Sequence, residues 1–240
     1  MSSEHGGSRD EAIHVLEHDL RAVFGDRLQS LVAYGLRNAA GPARTMALVT
    51  SLTESDLRAC AARVESWHES GLSTPLILPV HDLERALDVF PLEFDAIAAD
   101  HVLVAGASPF ARAIVEPSDV RRACEVRARS HLLHLREGFM EARGNAHALA
   151  VLIVESAAAM RALTSSVARL EGRSDGDAAG AGRHLERALG IPAGAITEVV
   201  ALAGVHEISA PDAERLFPPY LRAMERLVEY VDGWSSTSNR

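Results

Sequence analysis

Lysine is absent from this chain of 240 residues, and all 24 basic side chains are arginine. Chemistry that needs a lysine amine, such as a Schiff base or a Walker-type phosphate lysine, is therefore excluded. An arginine-only basic set is also what a GC-rich genome encodes. Cysteine is scarce: Cys60 and Cys124 stand far apart with no pairing pattern around them. They build neither a zinc site nor a disulfide framework, and reduced, buried thiols in a cytoplasmic protein are expected. Positive charge is in deficit, because 24 basic against 33 acidic residues leaves a net charge of −9 and a pI near 5.6. That balance argues against a nucleic-acid partner. Long apolar runs are missing as well. The longest, residues 146–160, carries His147 and Glu155 and is too short to span a bilayer. Residues 1–9 are polar and lack the apolar core of a signal peptide, so no membrane role is expected. With 48% hydrophobic and 24% charged residues, the chain has the composition of a soluble globular protein of one large or two small domains.

The first 115 residues change period repeatedly, as alternating helices and strands do. Ile13, Leu16, Leu20 and Val23/Phe24 recur every three or four positions, predicting an amphipathic helix that Gly25 ends. Residues 28–34 (LQSLVAY), 46–52 (MALVTSL), 75–78 (PLIL) and 101–105 (HVLVA) read as strands. Residues 53–70 and 82–89 read as helices, with Phe90–Pro91 breaking the second. Beyond residue 116 no strand signal remains, and helices are expected over 118–143, 146–170, 183–189, 194–205 and 211–234, with 172–182 as a flexible linker. The fold class expected is α+β: a mixed-sheet domain over 10–115, then an all-helical bundle over 116–234.

The order of these elements carries a resemblance. A helix ending in Phe24-Gly25-Asp26, a strand running into Tyr34-Gly35, a loop and a second strand resemble the start of a nucleotidyltransferase domain. Further matches are Trp67 with Ser73-Thr74-Pro75-Leu76, then Asp88-Val89-Phe90-Pro91-Leu92-Glu93-Phe94, then His101-Val102-Leu103 with Gly106. The helix that follows carries Val120-Arg121, Glu125, Arg129, Leu132-Leu133 and Leu135-Arg136. Together they are similar to a bacterial family with a nucleotidyltransferase-like domain followed by a helical domain, over most of residues 10–232.

The resemblance implies a glycine turn whose backbone approaches a triphosphate, a serine after it, and an Asp-x-Asp or Asp-x-Glu pair that holds divalent metal. Here Gly35 is kept, the serine position is Leu36, and the acidic pair falls at Thr45 and Ala47. No acidic residue lies between Asp26 and Glu54, so no shift in alignment restores the pair. Glu54 and Asp56 read as acids at a helix start. The expected function is a nucleotidyltransferase-like protein that has lost catalysis and acts as a ligand-binding, regulatory or interaction module. Its partner would be a nucleotide or another protein. No catalytic residue, metal site or cofactor is expected, Mg2+ being needed only by an active enzyme.

Three other constellations carry chemistry. Glu93 and Asp95, two residues apart, would share one face of a strand and could serve as displaced carboxylates of an active nucleotidyltransferase; the simpler reading pairs them with Arg85 and Arg112. Arg121, Glu125, Arg129 and Arg136 form one helical stripe, read as an ion-pair ladder that crosses between the two halves or as a phosphate-binding comb. Arg129 and His134 have the spacing of HEPN-like ribonucleases or toxin–antitoxin components, but such pairs recur by chance at Arg9/His14 and Arg63/His68. The pairs His14/His18 and His131/His134 lack a third metal ligand.

Overall fold

The computed structural model describes residues 3–36, 41–111, 114–173 and 177–234, with side chains from Arg9 onward. The chain divides into two compact units, Met1–Val115 and Glu116–Arg240. Arg112, residues 37–40 of the first loop and residues 174–176 of the expected linker lie outside the described residues.

The first unit is a four-stranded mixed sheet with helices on both faces. Helix α1 (Ser3–Phe24) buries Ile13, Leu16, Leu20 and Phe24, the stripe that a 3.6-residue period places on one side. Strand β1 (Leu28–Tyr34) is central and buried on both faces, which explains its unbroken apolar run. It pairs antiparallel with β2 (Arg44–Val49) on one side and with β4 (His101–Gly106) on the other. Strand β3 (Leu76–Pro79) runs parallel to β2, giving the order β3-β2-β1-β4. Leu31, Ala33, Ala47 and Val49 face α1 together with Trp67, whereas Val32, Met46 and Leu48 face a second cluster containing Leu87, Phe94 and Ile97.

Five local expectations change. The helix expected over 53–70 is two helices, α2 (Glu54–Ala61) and α3 (Val64–Glu69). The Arg63 N–H bonds back three residues to the Cys60 carbonyl, a tightened turn, and Trp67 beyond it is buried with its indole donating to Asp19 at 2.8 Å. Strand β2 stops at Val49, because Thr53 caps α2 by accepting from the Asp56 N–H. Pro91 ends α4 (Leu83–Val89) as expected but also opens α5 (Pro91–Ala99), since the first turn of a helix needs no N–H from its proline. The other two changes lie in the second unit.

That unit is a bundle of α6 (Pro117–Ala142), α7 (Ala146–Leu170), α8 (Ala178–Ala188), α9 (Thr197–Ala201) and α10 (Ala210–Gly233). Helix α8 starts five residues before the expected position, with Asp177 accepting from the Gly180 N–H as its cap. The helix expected over 194–205 is reduced to the short α9, flanked by turns and capped from outside: the buried Glu186 carboxylate accepts from the N–H groups of Ile196 and Thr197 and from the Thr197 hydroxyl. The apolar run at 146–160 is part of the 25-residue α7, which by length and composition alone could cross a membrane. It packs instead against α6, α8, α9 and α10, burying Ile153, Ala157, Met160, Leu163 and Val167.

Candidate functional site

Tyr34 ends β1, and Gly35 turns the chain with φ +69°, a conformation that favours glycine. The Gly35 N–H donates to the Asp100 carbonyl at 2.9 Å, which ties the turn to the start of β4. Register places Arg44 of β2 opposite Tyr34 and His101 of β4 on its other side, so the three side chains form one row across the sheet. The Arg44 guanidinium lies 5.0 Å from the Tyr34 ring centroid and occupies the space a Cβ at position 35 would need. Burial pushes the Tyr34 phenol up, and the Arg44 charge opposes that shift. No carboxylate among the described residues pairs with Arg44. His101 stacks edge-on against Phe110 at 5.0 Å, with Nδ1 2.9 Å from the Ala98 carbonyl.

Thr45 and Ala47 point the other way. They alternate with Arg44 and Met46 along β2, and their side chains are fully buried on the α1 face. Ala47 sits in the cluster of Leu16, Leu20 and Leu31, and Leu36 packs against the same cluster. The Thr45 hydroxyl has no hydrogen-bond partner among the described residues. The two positions where the resemblance puts metal-binding carboxylates are thus core, with no room for a hydrated ion.

Glu93 and Asp95 lie on α5 rather than on a strand. Two helical residues apart, they diverge by about 200° and cannot share a face. Both already engage neighbours. The α6 stripe is an ion-pair ladder within the helical unit: Arg121 pairs with Glu125 at 3.0 Å, and Arg129 with Glu125 and Asp232 at 3.1 Å each. Arg136 reaches Glu225 at 2.8 Å. Asp232 and Glu225 belong to α10, so the ladder joins two helices of one unit rather than the two halves of the chain. Arg129 and His134, five residues apart on α6, diverge by about 140°, and exposed His134 pairs with Glu137 at 3.3 Å. Among the described residues no group of three His, Cys, Asp or Glu side chains is placed to hold a metal ion.

The structure also joins polar residues that sequence spacing leaves apart. His131 Nε2 is hydrogen-bonded to the Tyr220 hydroxyl, which lies 3.1 Å from Ser156 Oγ. Ser156 in turn donates to the Ile153 carbonyl at 2.9 Å. Burial, aided by His134, pushes His131 down to about 4, so the imidazole is neutral at physiological pH; burial pushes the Tyr220 phenol up. Glu171 similarly joins His184 and Tyr230. His131 alone carried a signal, as one of two histidines three residues apart.

No protein-family model matches the chain, and no curated protein is significantly similar to it. Among solved structures, it is similar to a spectinomycin adenyltransferase from Enterococcus faecialis, crystallised with ATP and spectinomycin. The likeness spans 90% of this chain and 98% of that one, with a TM-score of 0.55 and 10% sequence identity. At that identity it is a likeness of fold, and the chain has an α+β nucleotidyltransferase-like fold with a C-terminal helical region.

Proposed function

We propose that this protein does not transfer nucleotidyl groups and serves as a ligand-binding, regulatory or interaction module on a nucleotidyltransferase-like fold. The observation that supports this reading most directly is the burial of Thr45 and Ala47 in the α1-side core. Metal-assisted phosphoryl chemistry needs carboxylates that hold cations against the phosphates. This chain offers neither the residues nor an open face at those positions. What it does present at the glycine turn is Arg44, a fixed cation lying over Gly35. A guanidinium recognises phosphate oxygens without a metal, so the module would bind a nucleotide whether or not magnesium is present. The structural neighbour was crystallised with ATP, which makes nucleotides the first ligands to test. A cytoplasmic location is proposed with it, in keeping with two buried free thiols.

Thermal melting with each nucleoside triphosphate, with and without Mg2+ or Mn2+, tests the reading alongside a pyrophosphate-release assay. A ligand bound only by the folded state raises the melting temperature in proportion to RT ln(1 + [L]/Kd). The expected result is no metal-dependent pyrophosphate release, with any nucleotide-induced shift equal in Mg2+ and in chelator and lost in Arg44→Gln. Metal-dependent release that Glu93→Ala abolishes would overturn it.

A further inference from the structure

The helical unit contains a second feature that the reading above does not use. Where α6 ends and α7 begins, opposite the first half of α10, lies a pocket of about 380 Å3. That volume falls within the roughly 300–1,000 Å3 range of small-molecule sites. Its walls are apolar, with Phe139, Ala142, Leu149, Phe217 and Leu221 among them. The Phe139 and Phe217 rings stack with centroids 4.6 Å apart and planes 10° apart, which gives the pocket a flat aromatic side. A further ring placed against this pair continues an arrangement already favourable in the wall.

The rim is charged in an unusual way. Helix α10 carries eight charged residues: Asp212, Glu214, Arg215, Arg222, Glu225, Arg226, Glu229 and Asp232. Six have partners: Asp212 with Arg215, Arg226 with Glu229, Glu225 with Arg136, and Asp232 with Arg129. Glu214 and Arg222 are the two without an opposite charge among the described residues, and both line the pocket. Eight residues apart, they stand about 12 Å apart along the helix axis, too far to neutralise each other without a bridge.

Pro218, which also lines the pocket, sharpens the asymmetry. A proline inside a helix removes the N–H that would bond to the carbonyl four residues earlier, here that of Glu214. One end of the pocket therefore carries Glu214, an acidic side chain on a turn whose regular helix bond Pro218 removes. The other end offers the Arg222 guanidinium, a bidentate donor suited to a carboxylate.

We infer that this pocket binds a small aromatic zwitterion, a flat ring with a primary ammonium group facing Glu214 and a carboxylate facing Arg222. The rings supply shape and apolar contact, and the two unpaired charges set orientation and exclude singly charged analogues. This site is built from the helical unit alone and does not depend on the function proposed for the Gly35 turn.

Titration calorimetry of the full chain with 4-(aminomethyl)benzoate, benzoate and benzylamine tests the inference, with Arg222→Gln and Glu214→Gln as variants. Both side chains are exposed, so the variants should fold, which circular dichroism verifies. The expected result is that the zwitterion binds about tenfold or more tightly than either analogue. Arg222→Gln should reduce its affinity to that of benzylamine, and Glu214→Gln to that of benzoate. Aromatic NMR shifts of Phe139 and Phe217 should move on binding. Absence of binding at about 1 mM, equal affinity for all three probes, or affinity unchanged in both variants would overturn it.

Discussion

Ala47→Asp restores the second acidic position that an active nucleotidyltransferase would have, and its outcome separates a vacant active site from a filled core. Ala47 is fully buried against Leu16, Leu20 and Leu31. An aspartate there must shed its charge to stay inside. Relative to its ordinary pKa near 3.9, holding it protonated at pH 7 costs about 4 kcal/mol, at about 1.36 kcal/mol per pH unit. The added atoms overpack a full core at a further cost of about 1–3 kcal/mol. The sum, about 5–7 kcal/mol, approaches the whole stability of a typical domain, about 5–15 kcal/mol. Urea unfolding followed by circular dichroism should show the midpoint falling by about 2.5–3.5 M at a slope of about 2 kcal/mol per M.

The pH dependence carries a second signature. The folded variant keeps a proton that the unfolded chain releases above about pH 4, so the deficit grows as pH rises from there and narrows on acidification toward pH 4. At pH 4 only the packing cost, about 1–3 kcal/mol, should remain. Thr45→Val is the counterpart: it removes a buried hydroxyl with no partner while keeping the shape, and should be neutral or stabilising by up to about 1 kcal/mol. A wild-type urea midpoint for Ala47→Asp at pH 7, or a deficit that does not change with pH, would refute the assignment of this face to the core.

Arg27 and Thr53 hold the Asp56 carboxyl well below the usual carboxylate range, so its contribution to stability is present above about pH 4 and lost as pH falls below it. Asp56→Asn should therefore lower the melting temperature at pH 7 and flatten its fall with acidification, measured by calorimetry across pH 2–7. Tyr220→Phe strips the hydroxyl shared by His131 and Ser156; Ser156 keeps the Ile153 carbonyl but the buried His131 Nε2 loses its partner, which should cost about 1–3 kcal/mol in urea unfolding. In the unmodified protein, His131 should titrate near 4 by NMR, and a value near the ordinary 6.5 would contradict its burial.

The elements most legible in the sequence were those with a strong period and clear punctuation. Strand β1 is observed with the bounds expected for it, Leu28–Tyr34, and α1 ends before Gly25 because its apolar stripe ends there. Helix α5 was hidden because Pro91 reads equally as a stop and as a first-turn residue, a choice made only by the packing of Leu92, Phe94 and Ile97. The break between α2 and α3 left no composition signal, since helical spacing continues across it. Small residues at 178–182 masked the start of α8, whose Asp177 cap is a local contact that a search for loops passes over.

At the candidate site, Gly35 was visible, but the orientation of Thr45 and Ala47 depends on which face of the sheet α1 covers. Arg44 was missed because the resemblance directs attention to acids, and its position over Gly35 follows from cross-strand register. The His131–Tyr220–Ser156 group joins residues 89 and 64 positions apart, beyond the reach of any local pattern.

Strand β4 has a consequence for self-association. It lies at the sheet edge, so one row of its backbone donors and acceptors has no strand beside it within the sheet, and Val102 and Leu103 are exposed along it. Natural edges of this kind are commonly guarded by an inserted charge, most often lysine, which this chain does not possess. Protection here comes from geometry. The strand is six residues long, its register shifts opposite Leu31/Val32, and Gly106 closes its end at φ +76° against the Gln29 carbonyl. An incoming strand finds a short, bent template, and growth of a continuous sheet from this edge is checked by shape rather than by charge.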